Sequence, residues 1–410
     1  MAVGLSEPNK ILPVAGIKLA AVAAGIKKNN KKDLVVLLFE EGASCAATFT
    51  QNAFCAAPVT LAKKHLLQSE HSGQYLRALL INSGNANAGT GDQGLQNAEQ
   101  SCRWLADALQ LSTEQVLPFS TGVIGEQLPM SALQSGIKQV ESQLSEDNWL
   151  SAASGIMTTD TVAKAVSKTI MLDGHTITIS GIAKGSGMIC PNMATMLAFI
   201  ATDADIENNF LQHCLSSAVE DSFNAITVDG DTSTNDACVL VATAAVKNKQ
   251  LNAGSSDVKV FIDTLNEVCQ QLAQTIIRDA EGATKFVSVE VIQADSKAEA
   301  KNVAYTVSHS PLVKTALYAS DPNWGRILAA VGRADIDTLN VSAVNIFLDD
   351  VCIVKNGGVD ADYSEEKGQA VMNQEEIKIR VELGRGDSSA IIWTSDLSHE
   401  YVRINSEYRS

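Results

Sequence analysis

The sequence predicts an α/β protein in which helices cover the sheets. Short runs rich in β-branched residues alternate with longer stretches of helical period, a pattern typical of this class. The 410 residues are 45% hydrophobic, which is enough for a large core and for two or three structural units. Loops rich in glycine and asparagine separate the predicted elements, and sites are usually built on such loops when a rigid sheet holds them.

Strands are predicted where β-branched and apolar residues form short runs bounded by turn residues. These runs cover residues 34–39, 78–81, 169–172, 176–182, 196–202, 238–242, 286–292 and 377–383. Apolar residues at helical spacing predict helices at 93–109, 130–144, 206–223, 257–278 and 323–333. The run Asp173-Gly174-His175 is typical of a hairpin turn. A domain boundary is predicted at 279–283, where Gly282 follows the end of a long helix.

Composition excludes several classes of partner. Lys and Arg number 31 against 47 Asp and Glu, for a formal net charge of −16, and the absence of a long basic block argues against nucleic acid and anionic membranes. No apolar run reaches the ~20 residues of a membrane span. Eight cysteines without C-x-x-C spacing are typical of reduced core residues, so we expect a cytoplasmic protein.

Several common site motifs are absent from this sequence or incomplete in it. The glycine run at 184–187 lacks the frame of a phosphate-binding loop, and no G-x-S-x-G elbow is present. The acidic loop at 229–236 begins like a calcium loop, but Thr234 and Leu240 stand where glycine and glutamate are required. The six histidines include no pair at the i, i+4 spacing of a helical zinc site. We therefore expect neither a metal nor a cofactor.

The segment at 184–200, KGSGMICPNMATMLAFI, is predicted to be a turn that leads into a buried strand. Thr195 would occupy the first position of that strand, and the small Ala194 before it leaves the preceding carbonyl open to attack. On the residues alone, a structural strand threonine is a better interpretation than a nucleophile. The run Ser120-Thr121-Gly122 by itself likewise indicates a plain turn.

A resemblance changes both interpretations. The run KGSGMICPNMATMLAFIATDA closely resembles the self-cleavage segment of the ornithine acetyltransferase family, also called glutamate N-acetyltransferase. The similarity extends through INSGNANAGTG, STGVIG, MTTDT, TVDGDTSTND, RDAEGATKF and DPNWGRI to the C-terminal INSEYRS. It therefore covers nearly the whole chain in the same order.

The resemblance implies a layered α-β-β-α-like sandwich shared by two self-cleaved fragments, with a smaller C-terminal α/β domain. Cleavage between Ala194 and Thr195 would give an alpha fragment of residues 1–194 and a beta fragment of residues 195–410. Residues 1–194 and 195–284 would form the catalytic sandwich, and residues 285–410 the C-terminal domain. The family assembles as a dimer of cleaved pairs, which implies an α2β2 heterotetramer.

The implied reaction transfers an acetyl group from N2-acetylornithine to glutamate through an acetyl-Thr195 intermediate. The free α-amine of Thr195 would take the proton from its own hydroxyl. The family's oxyanion hole corresponds to Thr121 and Gly122. Its substrate contacts correspond to Thr158, Lys184, Thr195, Glu281, Asn405 and Ser410. Family members differ in whether acetyl-CoA is also a donor, so acetyl-CoA is retained as a candidate co-substrate.

Two alternatives remain at this stage. One is a related N-terminal-nucleophile aminopeptidase or amidohydrolase, in which water rather than an amine resolves the acyl-enzyme. The other is an acidic binding or scaffold protein that never cleaves itself. The STG, KGSG and ATML contexts favour the transferase over the hydrolase, and a single band on a denaturing gel would favour the scaffold.

Overall fold

The computed structural model describes residues 2–190 and 196–407. Its strands are β1 Ile17–Val22, β2 Leu34–Phe39, β3 Ser44–Phe49, β4 Ala78–Asn85, β5 Val116–Val123, β6 Lys164–Leu172, β7 His175–Lys184, β8 Leu197–Thr202, β9 Ile226–Thr227, β10 Ala237–Ala242, β11 Phe286–Ala294, β12 Asn345–Leu348, β13 Val351–Lys355, β14 Gly358–Val359, β15 Glu376–Glu382 and β16 Ser388–Ser395. Its helices are α1 Ala57–Ser72, α2 Gly91–Leu109, α3 Met130–Gln143, α4 Trp149–Ile156, α5 Asn208–Glu220, α6 Val258–Arg278, α7 Lys297–Ser308, α8 Pro311–Tyr318, α9 Trp324–Gly332, α10 Glu365–Met372 and α11 His399–Ser406.

Within the described residues the strands form three sheets. The first has the order β1-β2-β4-β5, and the second has the order β3-β10-β8-β7-β6. The third has the order β14-β13-β12-β15-β11-β16-β9 and draws its strands mainly from the C-terminal part of the chain. The mixed α/β class predicted from the sequence is therefore confirmed.

The first two sheets pack face to face. Alternate residues of β2 point to opposite sides, so that Val35 and Leu37 join the core between the sheets while Leu34 and Val36 face outward. Phe119 of the first sheet meets Phe199 of the second edge to face, with ring centroids 5.2 Å apart. Such aromatic pairs contribute ~0.5–1.5 kcal/mol beyond the area that they bury.

Helices cover the outer faces of this double sheet. Apolar side chains of α1, α2 and α3 pack on the outer face of the first sheet. Those of α5 and α6 pack on the outer face of the second, in a core that continues into the third sheet. The layers are therefore helix, sheet, sheet, helix, as the resemblance implied. No helix within the described ranges is long and apolar enough to cross a membrane.

Each predicted strand and helix corresponds to an element of the structure. The hairpin turn is also confirmed, because β6 ends at Leu172, β7 begins at His175, and Asp173 and Gly174 between them have φ of +49° and +77°. Helix α6 ends at Arg278, and Gly282 takes φ +69° four residues later. The fragment and domain limits at 194, 195, 284 and 285 stay predictions.

Candidate active site

One cavity of about 220 Å³ gathers residues from seven separate parts of the chain. Its lining includes the predicted site residues Thr121, Gly122, Thr158, Lys184, Glu281 and Asn405. The other three predicted residues, Ala194, Thr195 and Ser410, lie outside the described residues. The structure thus brings together all of the predicted site residues that it describes.

Thr121 and Gly122 lie near the end of β5, where it runs parallel to β4. In the register of these strands Ser83 is opposite Thr121 and Gly84 is opposite Gly122. Gly122 has φ +134°, and a Cβ atom there would come within 2.3 Å of the Gly84 carbonyl carbon. Both the backbone angle and the close approach of the two strands therefore require glycine at position 122.

Hydrogen bonds hold the loop at 229–236 against this end of the first sheet. Asn235 is buried, and its Nδ2 donates to the carbonyl oxygens of Ala86 at 2.7 Å and Ser120 at 2.9 Å. Asp236 Oδ1 accepts the backbone N–H of Met196 at 3.0 Å, where the described chain resumes. Burial raises the pKa of the Asp236 carboxyl well above its usual value.

Lys184 is the last residue of β7 and lies opposite Leu197 of β8. Its side chain is buried, and its Nζ donates to Thr121 Oγ1 at 3.0 Å. Because the ammonium donates to this oxygen, the Thr121 hydroxyl keeps its own proton for another acceptor. Burial lowers the pKa of Lys184, and the carboxylates of Asp160 and Asp236 oppose that shift.

Asp160 connects two segments that line the cavity. Its Oδ2 accepts the backbone N–H of Thr158 at 2.9 Å, and its Oδ1 accepts that of Gly185 at 2.8 Å. Burial by itself would raise the pKa of this carboxyl, but the charges of Lys164 and Lys184 outweigh it and hold the pKa well below the usual range. Asp160 therefore stays ionised in the interior.

Lys164 connects Asp160 to a second buried carboxylate. Its Nζ lies 2.7 Å from Asp160 Oδ1 and 2.6 Å from Asp279 Oδ2, and all three side chains are at most 1% exposed. Burial opposes the charged form of Lys164, but the two carboxylates raise its pKa. Asp279 also accepts hydrogen bonds from the backbone N–H of Thr161 and Val162. These paired charges fix the turn at 158–162 against the end of α6.

Glu281 lies in the turn that follows α6 and faces the glycine run of 184–187. Its backbone N–H donates to the Ser186 carbonyl at 2.9 Å, and its Oε2 accepts Nδ2 of Asn405 at 2.8 Å. A Cβ atom at Gly187 would come within 2.4 Å of that carboxylate oxygen. A glycine at position 187 therefore leaves room for the carboxylate at the cavity wall.

Helix α11 brings Asn405 to the cavity. Ser398 Oγ donates to the Gly282 carbonyl at 2.6 Å, and the Tyr401 hydroxyl donates to Asp229 Oδ2 at 3.1 Å. Both contacts hold the helix on loops that line or adjoin the cavity. Asn405 itself is exposed, so this side of the cavity opens toward solvent.

Sequence reasoning did not single out Asp160, Lys164, Asp236 and Asp279. All but Lys164 stand within the motifs MTTDT, TVDGDTSTND and RDAEGATKF, which carried the resemblance. Isolated acidic residues among small and apolar neighbours were the signal that could have identified them, because buried carboxylates need partners. Within the described residues, no group of three or more His, Cys, Asp or Glu could hold a metal ion.

Comparison with known proteins gives consistent matches. A family model described as the ArgJ family matches residues 18–410. The arginine biosynthesis bifunctional protein ArgJ of Pseudomonas fluorescens (strain Pf0-1) is 53% identical over 411 residues, which cover 100% of both chains. The protein of the same name from Methylococcus capsulatus is 52% identical over 98% of this chain and 97% of its own length.

A solved structure also matches in part. The crystal structure of an arginine biosynthesis bifunctional protein from Bacillus halodurans is 40% identical to this chain, and the match has a TM-score of 0.49. It covers 51% of this chain and 98% of that one.

Proposed function

This chain belongs to the ArgJ family, and we propose that it is a self-cleaving acetyltransferase that moves the acetyl group of N2-acetylornithine to glutamate. The observation that carries the proposal is the cavity of about 220 Å³ that combines Thr121, Gly122, Lys184 and Glu281. It offers hydrogen-bond donors for an oxyanion, a cation for a carboxylate and a carboxylate for an ammonium group. An N-acetylated amino acid needs all three.

The proposed nucleophile is Thr195, released by cleavage between Ala194 and Thr195. Thr195 directly precedes Met196, whose N–H is held by Asp236 at the start of the strand that pairs with Lys184. After cleavage the α-amine of Thr195, with a reference pKa of about 7.7–8.0, is the base that accepts the hydroxyl proton. One residue then supplies both nucleophile and base.

Thr121 and Gly122 are proposed to stabilise the tetrahedral intermediate. The Lys184 ammonium occupies a lone pair of the Thr121 hydroxyl oxygen, which leaves the hydroxyl proton available to the developing oxyanion. A backbone N–H at Gly122 is the second proposed donor. Donors that are fixed before the reaction stabilise charge without any cost of reorganisation.

The remaining residues are proposed to bind the amino-acid part of the substrate. Lys184 meets the α-carboxylate and Glu281 meets the ammonium group of ornithine. Thr158, Asn405 and the C-terminal Ser410 supply further hydrogen bonds. Asn405 already donates to Glu281, which orients the carboxylate toward the cavity.

The reaction proceeds in two half-reactions. Thr195 Oγ1 attacks the acetyl carbonyl of N2-acetylornithine, the C–N bond breaks, and ornithine leaves after its amine takes a proton. The amine of glutamate then attacks the acetyl ester, the C–O bond breaks, and Thr195 recovers its hydroxyl proton. Acetyl transfer is therefore ping-pong and uses no metal or cofactor, whereas acetyl-CoA enters only as an alternative donor.

The assembly and location follow from the same proposal. Residues 1–194 and 195–410 stay associated, two such pairs form an α2β2 heterotetramer, and residues 285–410 form the smaller domain. We place the enzyme in the cytoplasm. Its substrates are small molecules, namely amino acids and their N-acetylated forms. Nucleic acids and membranes have no part in the reaction.

The test combines mass and kinetics on the purified protein. Intact-mass analysis should give two fragments that meet between Ala194 and Thr195. Initial rates with N2-acetylornithine and glutamate should give the parallel reciprocal plots of a ping-pong reaction. A single uncleaved chain would refute the proposal. Release of free acetate at the same rate with and without glutamate would instead support the amidohydrolase.

A further inference from the structure

Asp236 supplies a buried carboxyl group next to the proposed nucleophile. It directly precedes β10 and is 1% exposed. Its Oδ1 accepts the backbone N–H of Met196 at 3.0 Å. That N–H belongs to the peptide group that joins Thr195 to Met196. The carboxyl group therefore lies beside the residue that cleavage would turn into the nucleophile.

The second oxygen of this carboxyl group is unpaired in the described part of the chain. Asp236 Oδ2 is buried, and it has no hydrogen-bond partner in residues 2–190 and 196–407. A buried polar atom without a partner is costly, because it has lost water without gaining a replacement. Oδ2 is therefore available to the residue that directly precedes Met196.

The same loop shows how one carboxyl group can hold two successive residues. Asp229 Oδ1 accepts the N–H of Ile189 at 3.0 Å, and its Oδ2 accepts that of the preceding Met188 at 2.7 Å. Asp236 Oδ1 holds its own N–H partner in the same way. By the same geometry, Asp236 Oδ2 would meet the nitrogen of Thr195, which is the nitrogen of the bond to be cut.

The surroundings of this carboxyl group favour its protonated form. Burial raises the pKa of Asp236 well above its usual value. The Met196 N–H, the Lys184 ammonium on β7 and the Ser233 hydroxyl oppose this shift, but burial outweighs them. Lys184 Nζ donates instead to Thr121 Oγ1. A protonated carboxyl group carries one O–H donor, and on Oδ2 that donor would face the nitrogen of the bond to be cut.

We propose that Asp236 is the general acid of self-cleavage and delivers a proton to the nitrogen of Thr195 as the peptide bond breaks. This inference rests on the proposed function, in which that bond is cut. Thr195 Oγ1 attacks the carbonyl carbon of Ala194, the C–N bond breaks, and the Oδ2 proton moves to the nitrogen, which leaves as an amine. The proton of Oγ1 replaces it on the carboxyl group. Water then hydrolyses the new ester, which releases the Ala194 carboxyl group and restores the Thr195 hydroxyl.

The test follows cleavage of the full chain as a cell-free system makes it, with precursor and fragments separated on a denaturing gel at successive times. Asp236→Asn keeps an oxygen for the Met196 N–H but has no acidic proton. Cleavage should therefore slow by roughly 10²–10⁴-fold, the usual contribution of general acid–base catalysis. Hydroxylamine, which attacks esters, should not restore the rate, because the ester forms only as the nitrogen leaves.

The matched control is Asp203→Asn. Asp203 is also buried, burial also raises its pKa, and its Oδ1 accepts one backbone N–H, that of Thr178 at 2.8 Å. It directly follows the six residues of β8, which at ~3.3 Å per residue place it roughly 20 Å from Met196. Asp203→Asn should cleave at the parent rate, and urea unfolding reports the stability that each substitution costs.

The dependence on pH separates a proton donor from a merely structural residue. A general acid acts only while it is protonated, so the cleavage rate of the parent chain should fall as the pH rises through the raised pKa of Asp236. Asp236→Asn should lack that fall. The parent profile needs no substitution, so it tests the inference even if the variant does not fold.

Four results would overturn the inference. They are a parent rate that does not fall at high pH, the same fall in Asp236→Asn, equal cleavage rates in Asp236→Asn and Asp203→Asn, and recovery of Asp236→Asn with hydroxylamine. The second would assign the proton to another group, such as Lys184. Failure of the parent chain to cleave at all would instead refute the proposed function.

Discussion

Replacement of Lys164 by methionine should destabilise the protein strongly, although this lysine is not proposed to touch the substrate. The substitution keeps the length and the apolar stem of the side chain but removes the charge. The carboxylates of Asp160 and Asp279 lie 2.7 and 2.6 Å from Lys164 Nζ, and their side chains are at most 1% exposed. Both would lose their cation. Unpaired carboxylates in the interior are costly because water no longer solvates them.

The expected loss is about 3 kcal/mol in the free energy of unfolding. Removal of one partner from a buried ion pair typically costs ~3–5 kcal/mol. The lower end applies here because backbone N–H groups still donate to both carboxylates. The same substitution should also leave the turn at Thr158 less firmly fixed, so kcat should fall.

The loss should depend on pH. The folded-state pKa of Asp160 is depressed, so its contribution is present above its unfolded pKa near 3.9 and disappears as the pH falls through the folded value. The pKa of Lys164 is raised, so its contribution is present below about pH 10.4 and disappears at higher pH. The difference between parent and variant should therefore be largest between about pH 4 and pH 10.

Urea unfolding followed by tryptophan fluorescence measures this loss as a shift of the midpoint at unchanged slope. The matched control is Lys259→Met, because Lys259 lies 2.7 Å from Asp263 in an exposed pair on α6. Exposed pairs on a helix contribute ~0.3–0.5 kcal/mol. If Lys164→Met lost no more stability than Lys259→Met at pH 7, the buried network would not be what stabilises the site.

Three further predictions concern the proposed catalytic groups. Thr195→Ala should abolish both cleavage and acetyl transfer, and two fragments on a denaturing gel of this variant would contradict the role of its hydroxyl. Thr121→Ala should lower kcat on the order of 10²–10³-fold with a smaller effect on KM; a change in KM alone would remove Thr121 from the oxyanion hole. Lys184→Met and Glu281→Gln, assayed only as cleaved protein, should each raise the KM for N2-acetylornithine by one to two decades, since each loses a hydrogen bond to a charged group worth ~1.5–3 kcal/mol. Unchanged KM values for both substrates would show that the amino-acid pocket lies elsewhere.

The local sequence pattern predicts strands of apolar residues well, and it predicts strands that contain polar or small residues poorly. The strand at 34–39 is predicted with the limits that β2 has in the structure. The strand at 78–81 is too short, because β4 continues through the polar run to Asn85 by pairing with β5. The strands at 17–22 and 44–49 are not predicted, since alanine and serine have weak strand preference. Pairing with β2 and β10 forms them instead.

The site could be predicted only through resemblance. Thr121, Thr158, Lys184, Glu281 and Asn405 are far apart in sequence, and no local periodicity indicates that they share a cavity. Each one by itself has an ordinary interpretation as a turn residue or a surface charge. Their meeting depends on the packing of two sheets and on the position of α11, which are tertiary features.

The buried ionic network could not be predicted for a related reason. The five residues from Asp160 to Lys164 contain one acid and one base at i, i+4 spacing, which is equally typical of an exposed helix. In the structure they lie in a turn and at the start of β6 rather than in a helix. Asp279, more than a hundred residues later, completes the network.

The strand order of the second sheet bears on what would happen to the two halves of a cut chain. Strands β3, β7 and β6 precede position 195, and β8 and β10 follow it, in the order β3-β10-β8-β7-β6. The later pair is thus inserted between earlier strands, with six residue pairs in register on each side. Neither half alone would have the complete second sheet, and each would expose unpaired strand edges that promote aggregation. After cleavage the two halves would therefore stay together, because they could not be exchanged between molecules without unfolding of the second sheet.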